Sequence, residues 1–343
     1  MTELRAELVV PQGRQRRARG RALIACGWTF RIVGTLLGLI GIQRGRMAGT
    51  GQLVIHLGES PVVIPFWGRL LIALALSAAG VLLFLVGRVL AGRGRQHIAH
   101  IIRSLTEIDG RPFVLYLRPF ADDLAGARMP THTPAASLGS FFRLSGRTQE
   151  ESLREMFRDF GTLVAIGRPG EILPLPGALR AYLPVDDWQD TVRHLIARAR
   201  LVVMGAGPGP GTIWELVEAV RTVQPAQLVL VVHHEADVYE QFRKAAAAEF
   251  AARLPQLRRE KGPHWLPPAL PDYPPIRHPE RLTWDYVLKG VIYFEPGWKP
   301  RFLRFDPTAL RRRTQSSMTK SVNRSLEQVL RYLRDAGPPS PNR

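Results

Sequence analysis

The sequence predicts an α/β protein: a five-stranded parallel sheet with flanking helices, preceded by an α-helical transmembrane hairpin. Three observations carry that expectation. Two long apolar segments stand near the N-terminus, five short apolar runs follow them, and helical patterns alternate with those runs.

Residues 22–42, ALIACGWTFRIVGTLLGLIGI, are apolar apart from Arg31, and residues 70–87, LLIALALSAAGVLLFLVG, carry no charge. About 20 apolar residues cross the hydrocarbon core as a helix. The second segment can extend back through VVIPFWGR, which gives spans of about 22–42 and 66–88 within a hairpin of residues 22–90. The basic tail, residues 1–21, holds six arginines (Arg5, Arg14, Arg16, Arg17, Arg19 and Arg21), and Arg88, Arg93, Arg95 and Arg103 follow the second span. Only Arg44 and Arg46 lie in the short connection. The positive-inside bias then places both termini in the cytoplasm and the chain, as a multi-pass protein, in the inner (plasma) membrane. A cleaved leader fits less well, because the apolar region is long and QRGRMAGT offers no small-x-small site. Gly34 and Gly38 form a GxxxG spacing that permits close helix approach and points to dimers. Arg31 either marks a pore or partner contact, or snorkels or faces the other span.

The net charge of +18 and pI near 11.1 would suggest nucleic acid for a soluble chain, but much of the charge flanks the apolar segments. For the basic stretch KPRFLRFDPTALRRR, residues 299–313, the nearer polyanion is the inner leaflet, so anionic lipid head groups or plain solvation are expected and nucleic acid is not. The single cysteine, Cys26, leaves neither a disulfide framework nor a cysteine metal site within one chain.

Residues 91–109 are expected as a connecting helix, and residues 110–336 as a cytoplasmic α/β domain with a proline-rich insertion at 255–282 and a disordered tail at 337–343. The runs PFVLYL (112–117), TLVAI (162–166), LVVM (201–204), QLVLVV (227–232) and GVIYF (290–294) suit strands buried on both faces. Between them, Leu153, Met156, Phe157 and Phe160 share one helical face; Trp188, Val192, Leu195, Ile196 and Ala199 share another. Further helices are expected after Thr212, over about 237–253, and along Val322, Leu326, Val329, Leu330 and Leu333. A doubly wound sheet of order 2-1-3-4-5 binds ligands beyond the carboxyl ends of its first and third strands. RPFADD (118–123) and GAGPGPGT (205–212) are the loops that arrive there.

The glycine loop is neither a Walker A loop nor a dinucleotide fingerprint, and Pro208 and Pro210 remove two amide donors. What it offers is close backbone approach at Gly205, Gly207, Gly209 and Gly211, and a helix N-terminus at Thr212. Thr212 and Glu215 fit a capping box, so Glu215 is either a cap or a functional carboxylate, and Trp214 either packs or binds. Arg118 and Arg168, at strand ends, suit phosphate oxygens, and Asp122 or Asp123 suits ribose hydroxyls; an ion pair of Arg118 with either aspartate is the alternative. His233, His234, Glu235 and Asp237 raise a metal, but no matching ligands stand elsewhere and none is expected.

The stretch DTVRHLIARARLVVMGAGPGPGTIWELVEAV resembles the central part of TIR domains: a helix, a strand, a loop, then a tryptophan and a glutamate. FVLYLRPFADD resembles their first strand and loop, and LVAIGRPGE their second. GT-x-x-E-L is also similar to nucleoside deoxyribosyltransferases and nucleotide phosphoribohydrolases. The resemblance implies a Rossmann-like, flavodoxin/TIR-like core and cleavage of an N-glycosidic bond, NAD being the expected substrate with no cofactor required. The TIR register implies Glu218 as the catalytic residue, and the other two families imply Glu215. Resemblance to TIR effectors also implies activation by clustering, hence a homo-oligomer. The alternative is a non-enzymatic signalling module of the same fold that senses a nucleotide or recruits partners at the membrane.

Overall fold

The computed structural model describes residues 15–49, 53–57, 60–102, 104–118, 149–167, 176–183, 188–282, 288–310 and 315–337. The chain divides into two compact units, one centred on Gln12–Ala99 and the other built from His100 onward.

The first unit is a helical hairpin: α1 (Arg17–Met47), a short antiparallel pair β1 (Leu53–Leu57) and β2 (Ser60–Ile64), and α2 (Phe66–Ile98). Both helices are long and apolar enough to cross a membrane. A core helix of a soluble protein would bury its large side chains; here Trp67 is 70% and Leu71 66% exposed, and Trp28, Leu36, Leu39 and Leu82 are exposed as well. Residues 62–64 belong to β2, so the second apolar helix does not extend back through VVI; Pro65, extended at φ −63° and ψ 161°, ends the strand and caps the helix.

Glycine sets how the helices meet. The buried positions of α1 are Gly20, Gly27, Gly34 and Gly41, a strict seven-residue repeat, and α2 answers with Gly94, Gly87, Gly80 and Ala73. A Cβ on Gly20, Gly27 or Gly34 would stand 2.9, 2.6 or 2.5 Å from the carbonyl oxygen of Gly94, Gly87 or Gly80. The backbones therefore touch directly, and only a residue without a side chain fits. The seam is internal to the chain: Gly34, taken from the sequence as half of a dimer motif, faces its own chain's Gly80. Arg31 also turns inward, its guanidinium 4.4 Å from the Trp28 ring and 5.4 Å from that of Phe84.

Beyond Ala99 the chain is not a connecting helix. His100 and Ile102 bond to the backbone of Arg180 as an extended segment, and only the 3-10 turn Leu105–Ile108 follows. The second unit then contains β3 (Phe113–Leu117), α3 (Gln149–Met156), β4 (Thr162–Gly167), β5 (Leu179–Tyr182), α4 (Trp188–Arg198), β6 (Leu201–Gly205), α5 (Pro210–Thr222), β7 (Leu228–Val232), α6 (Ala236–Lys261), β8 (Gly290–Glu295), β9 (Lys299–Arg304) and α7 (Gln315–Ala336).

These strands form one mixed seven-stranded sheet of order β5-β4-β3-β6-β7-β8-β9. The expected five-stranded parallel sheet is therefore corrected in number and in direction. The expected 2-1-3-4-5 order sits inside it, but β8 runs antiparallel to β7, and β5 and β9 are added at the edges. β5 is four residues with an arginine and β9 is KPRFLR, so neither shows the apolar run of a buried strand. β8 and β9 form a hairpin around Pro296–Trp298, where Gly297 takes φ +76°.

The two sheet faces carry separate cores. Val202, Met204 and Leu230 pack with Leu195, Leu216, Val220, Phe242 and Phe250 of α4, α5 and α6; Val203, Val229 and Val291 pack with Leu153 of α3 and Val322, Leu326 and Leu333 of α7. α6 continues through Pro255 to Lys261, past its expected end near 253. The proline-rich residues after it lie along the domain: Leu270 is buried, and the Tyr239 hydroxyl donates to the Pro271 carbonyl at 2.7 Å.

Candidate functional site

β3 lies between β4 and β6, both parallel to it, and Leu117 sits beside Met204. The chain leaves β3 toward β4 across one sheet face, by α3, and arrives at β6 across the other, by α4, so the strand order reverses here. Arg118 follows β3 and Gly205 ends β6, which brings these two predicted segments together at the carboxyl ends of adjacent central strands. Asp122, Asp123 and Arg168 lie outside the described residues.

The loop from Gly205 to Gly209 passes from buried backbone to the start of α5. The helix begins earlier than the sequence indicates: Gly209 is the N-cap, with no side-chain cap, and Pro210 occupies the first turn. The capping box of Thr212 and Glu215 is accordingly absent. Thr212 already lies within the first turn and Glu215 inside the helix, so the cap reading of Glu215 does not stand. Gly209 and Gly211 have no left-handed φ, and a Cβ on either would meet nothing within 4 Å. Among the described residues nothing demands glycine there.

Thr212, Glu215 and Glu218 recur every three residues along α5, exposed by 5%, 5% and 4%. Their surroundings differ. Glu218 accepts from Arg193 Nε at 3.1 Å, Arg221 Nε at 3.1 Å and Arg253 Nη1 at 3.3 Å. Arg221 and Arg253 also pair with Glu260 and Glu249, and Arg193 with Asp190, so Glu218 is the centre of an ion network joining α4, α5 and α6. Glu215 has no hydrogen bond or ion pair among the described residues, and burial alone raises its pKa from 4.5 to about 8. Burial of an unpaired carboxyl disfavours its charged form.

Trp214 is half-buried, its ring 5.0 Å from that of Trp188 in an edge-on contact, with the Arg193 guanidinium 5.5 Å from its centre. It packs α5 onto α4. Arg118 is paired too: its Nη1 donates to Glu150 Oε1 of α3 at 3.1 Å. Glu150 is shared with Arg180, whose Nη2 donates to both carboxylate oxygens at 2.7 and 2.8 Å.

Arg180 and Glu150 were not singled out by sequence reasoning. The one available signal was a lone arginine inside the apolar segment ALRAYL; nothing marked Glu150. Glu235 pairs with the buried Lys289 at 2.5 Å, and among the described residues no group of three metal-ligating side chains forms. Comparison of the chain with protein-family models, with curated proteins and with solved structures finds no match to any of them.

Proposed function

We propose that the protein is an inner-membrane anchor carrying a cytoplasmic TIR-like domain that cleaves the N-glycosidic bond of a nucleotide, NAD first among candidates, with Glu215 as the catalytic carboxylate. The observation that carries this reading is Glu215, buried and unpaired among the described residues, on the helix that follows the glycine loop at the strand-order switch.

The chemistry favours this carboxyl. Breaking a ribosyl bond builds positive charge on the sugar, and NAD brings a cationic nicotinamide ring. Either charge favours ionisation of a carboxyl that burial holds neutral, so Glu215 becomes an anion where the transition state rewards one. Glu218, saturated by three arginines, has no such freedom, and its role is to hold α4, α5 and α6 together.

Charge placement supports the membrane orientation. The antiparallel pairing of Gly20 with Gly94 puts Arg16, Arg17, Arg19 and Arg21 at the same end of the hairpin as Arg88, Arg93 and Arg95, facing anionic head groups, while Arg44, Arg46 and Arg69 mark the other end. Both termini are then cytoplasmic. Clustering of copies in the bilayer is the proposed trigger.

The test is nicotinamide release from NAD by the full chain in lipid nanodiscs, at low and high protein density. Wild type should turn over, Glu215→Gln should lose at least about a hundredfold as removal of a charge-stabilising group does, and a folded Glu218→Gln should keep activity. Turnover unchanged in Glu215→Gln sinks the assignment. NAD binding with no turnover at any density replaces the enzyme with a nucleotide-sensing module.

A further inference from the structure

We infer that Arg180 and Arg118 form an anion site, held by the carboxylate of Glu150, that takes a phosphoryl group. The inference rests on the nucleotide reading above only for the identity of the molecule that carries this group.

The argument begins with Arg180. Its side chain is fully buried on β5, in a row of the sheet where its parallel neighbour is Ala165. A single nitrogen, Nη2, serves both oxygens of Glu150, while Nε and Nη1 are buried with no acceptor. Buried guanidinium donors without partners are costly, and side chains of this kind are retained where an acceptor arrives. Arg118 and Arg180, at 9% and 0% side-chain exposure, meet at the Glu150 carboxylate, itself 3% exposed.

The place is also specific. Arg118 stands directly after β3 at the strand-order switch, so its guanidinium is the outer member and Arg180 the inner one. The geometry is held from behind by backbone. Gly177 takes φ +129°, and a Cβ there would lie 2.5 Å from the Glu151 amide nitrogen, so the start of β5 presses onto the first turn of α3 and brings Arg180 to Glu150. On the other side, Ile102 donates to the Arg180 carbonyl and the Arg180 amide donates to His100. A phosphoryl group offers three oxygens and more charge than one carboxylate, so it can displace Glu150 and occupy donors that Glu150 leaves empty.

The experiment is calorimetric titration of the full chain in uncharged-lipid nanodiscs with inorganic phosphate, pyrophosphate, ADP and NAD. Glu150→Gln keeps size and a hydrogen-bond acceptor while removing the negative charge that holds Arg180, and should tighten the phosphoryl ligands by about tenfold. Arg180→Met should weaken them by at least as much, and the Arg180→Met/Glu150→Gln double variant keeps that loss interpretable if the single variant folds poorly. Pyrophosphate binding as tight as that of ADP identifies a free phosphate; binding of ADP and NAD alone identifies a nucleotide. Affinities within twofold of wild type in both Glu150→Gln and Arg180→Met overturn the site, as does absence of binding by all four probes in folded protein. Nucleotide binding that ignores these variants leaves the Glu215 reading standing without this site. Phosphoryl binding tightened by Glu150→Gln without nicotinamide release does the reverse.

Discussion

Glu215 and Glu218 stand one turn apart on α5, almost equally buried, yet three arginines hold Glu218 and none of the described residues holds Glu215. Sequence spacing cannot separate two such residues. Their partners do: burial without a partner raises the Glu215 carboxyl pKa, whereas Glu218 sits among three guanidiniums.

The first prediction concerns stability against pH. Glu215 has a folded pKa of about 8 against 4.5 unfolded, so between those values the unfolded state releases a proton that the folded state keeps. Stability therefore falls as pH rises from about 4.5 to 8 and is level outside that window; the full penalty is on the order of 5 kcal/mol. Glu215→Gln removes it. The thermal midpoint of the variant relative to wild type, followed by tryptophan fluorescence of the full chain, should climb from pH 5 to pH 8 and then plateau. A constant difference over that range contradicts the assignment.

Glu218 should behave in the opposite sense. Glu218→Ala leaves Arg193, Arg221 and Arg253 facing one another, but these are 25–38% exposed and can rehydrate. The loss is accordingly below that of a fully buried pair, about 2 kcal/mol. Chemical denaturation at pH 7 measures it, and an unchanged midpoint would mean that the network contributes nothing.

Turnover, where present, should follow the same carboxyl. In the free protein Glu215 ionises near pH 8, so kcat/KM should rise with pH toward a limb there. A cationic substrate lowers the pKa in the complex, and the limb in kcat should lie at lower pH. Rate profiles in both parameters check this; coincident limbs remove the role of substrate charge.

How much of this was legible beforehand depends on the kind of interaction. The order of β4, β3, β6, β7 and β8 follows from apolar runs and helical periods, which are local. β5 and β9 escaped because a strand with Arg180 at its centre, or with Lys299, Arg301 and Arg304, has no apolar run to read. The direction of β8 depends on where a proline-rich connection ends, and that is not local either. The site was half legible: the glycine loop and the glutamates are contiguous, whereas the Glu150–Arg180 pair joins residues 30 apart through the packing of Gly177 against α3. The start of α5 misled because a threonine three residues before a glutamate is a stronger textual signal than a glycine followed by proline.

The last prediction tests the hairpin. Seven-residue spacing of glycine was present in the sequence, but only its pairing across two helices gives it meaning, since the contacts are backbone to backbone. A methyl on Gly34 would meet the Gly80 carbonyl at 2.5 Å and the Phe84 amide at 2.7 Å, and one on Gly80 would meet the Gly38 amide at 2.5 Å. These atoms belong to helix backbones and cannot rotate aside, so the helices must separate. Gly34→Ala and Gly80→Ala should each cost about 1–3 kcal/mol of hairpin stability. Gly38 and Gly92 are the controls, because a Cβ on either meets nothing within 4 Å. There alanine should be neutral or should stabilise by up to about 1 kcal/mol through helix propensity. Spin labels on Cys26 and on Val89→Cys, both exposed, report the separation through dipolar broadening in nanodiscs. Broadening should diminish for Gly34→Ala and Gly80→Ala and persist for Gly38→Ala and Gly92→Ala. Equal broadening in all four means that the glycine seam does not hold the helices together.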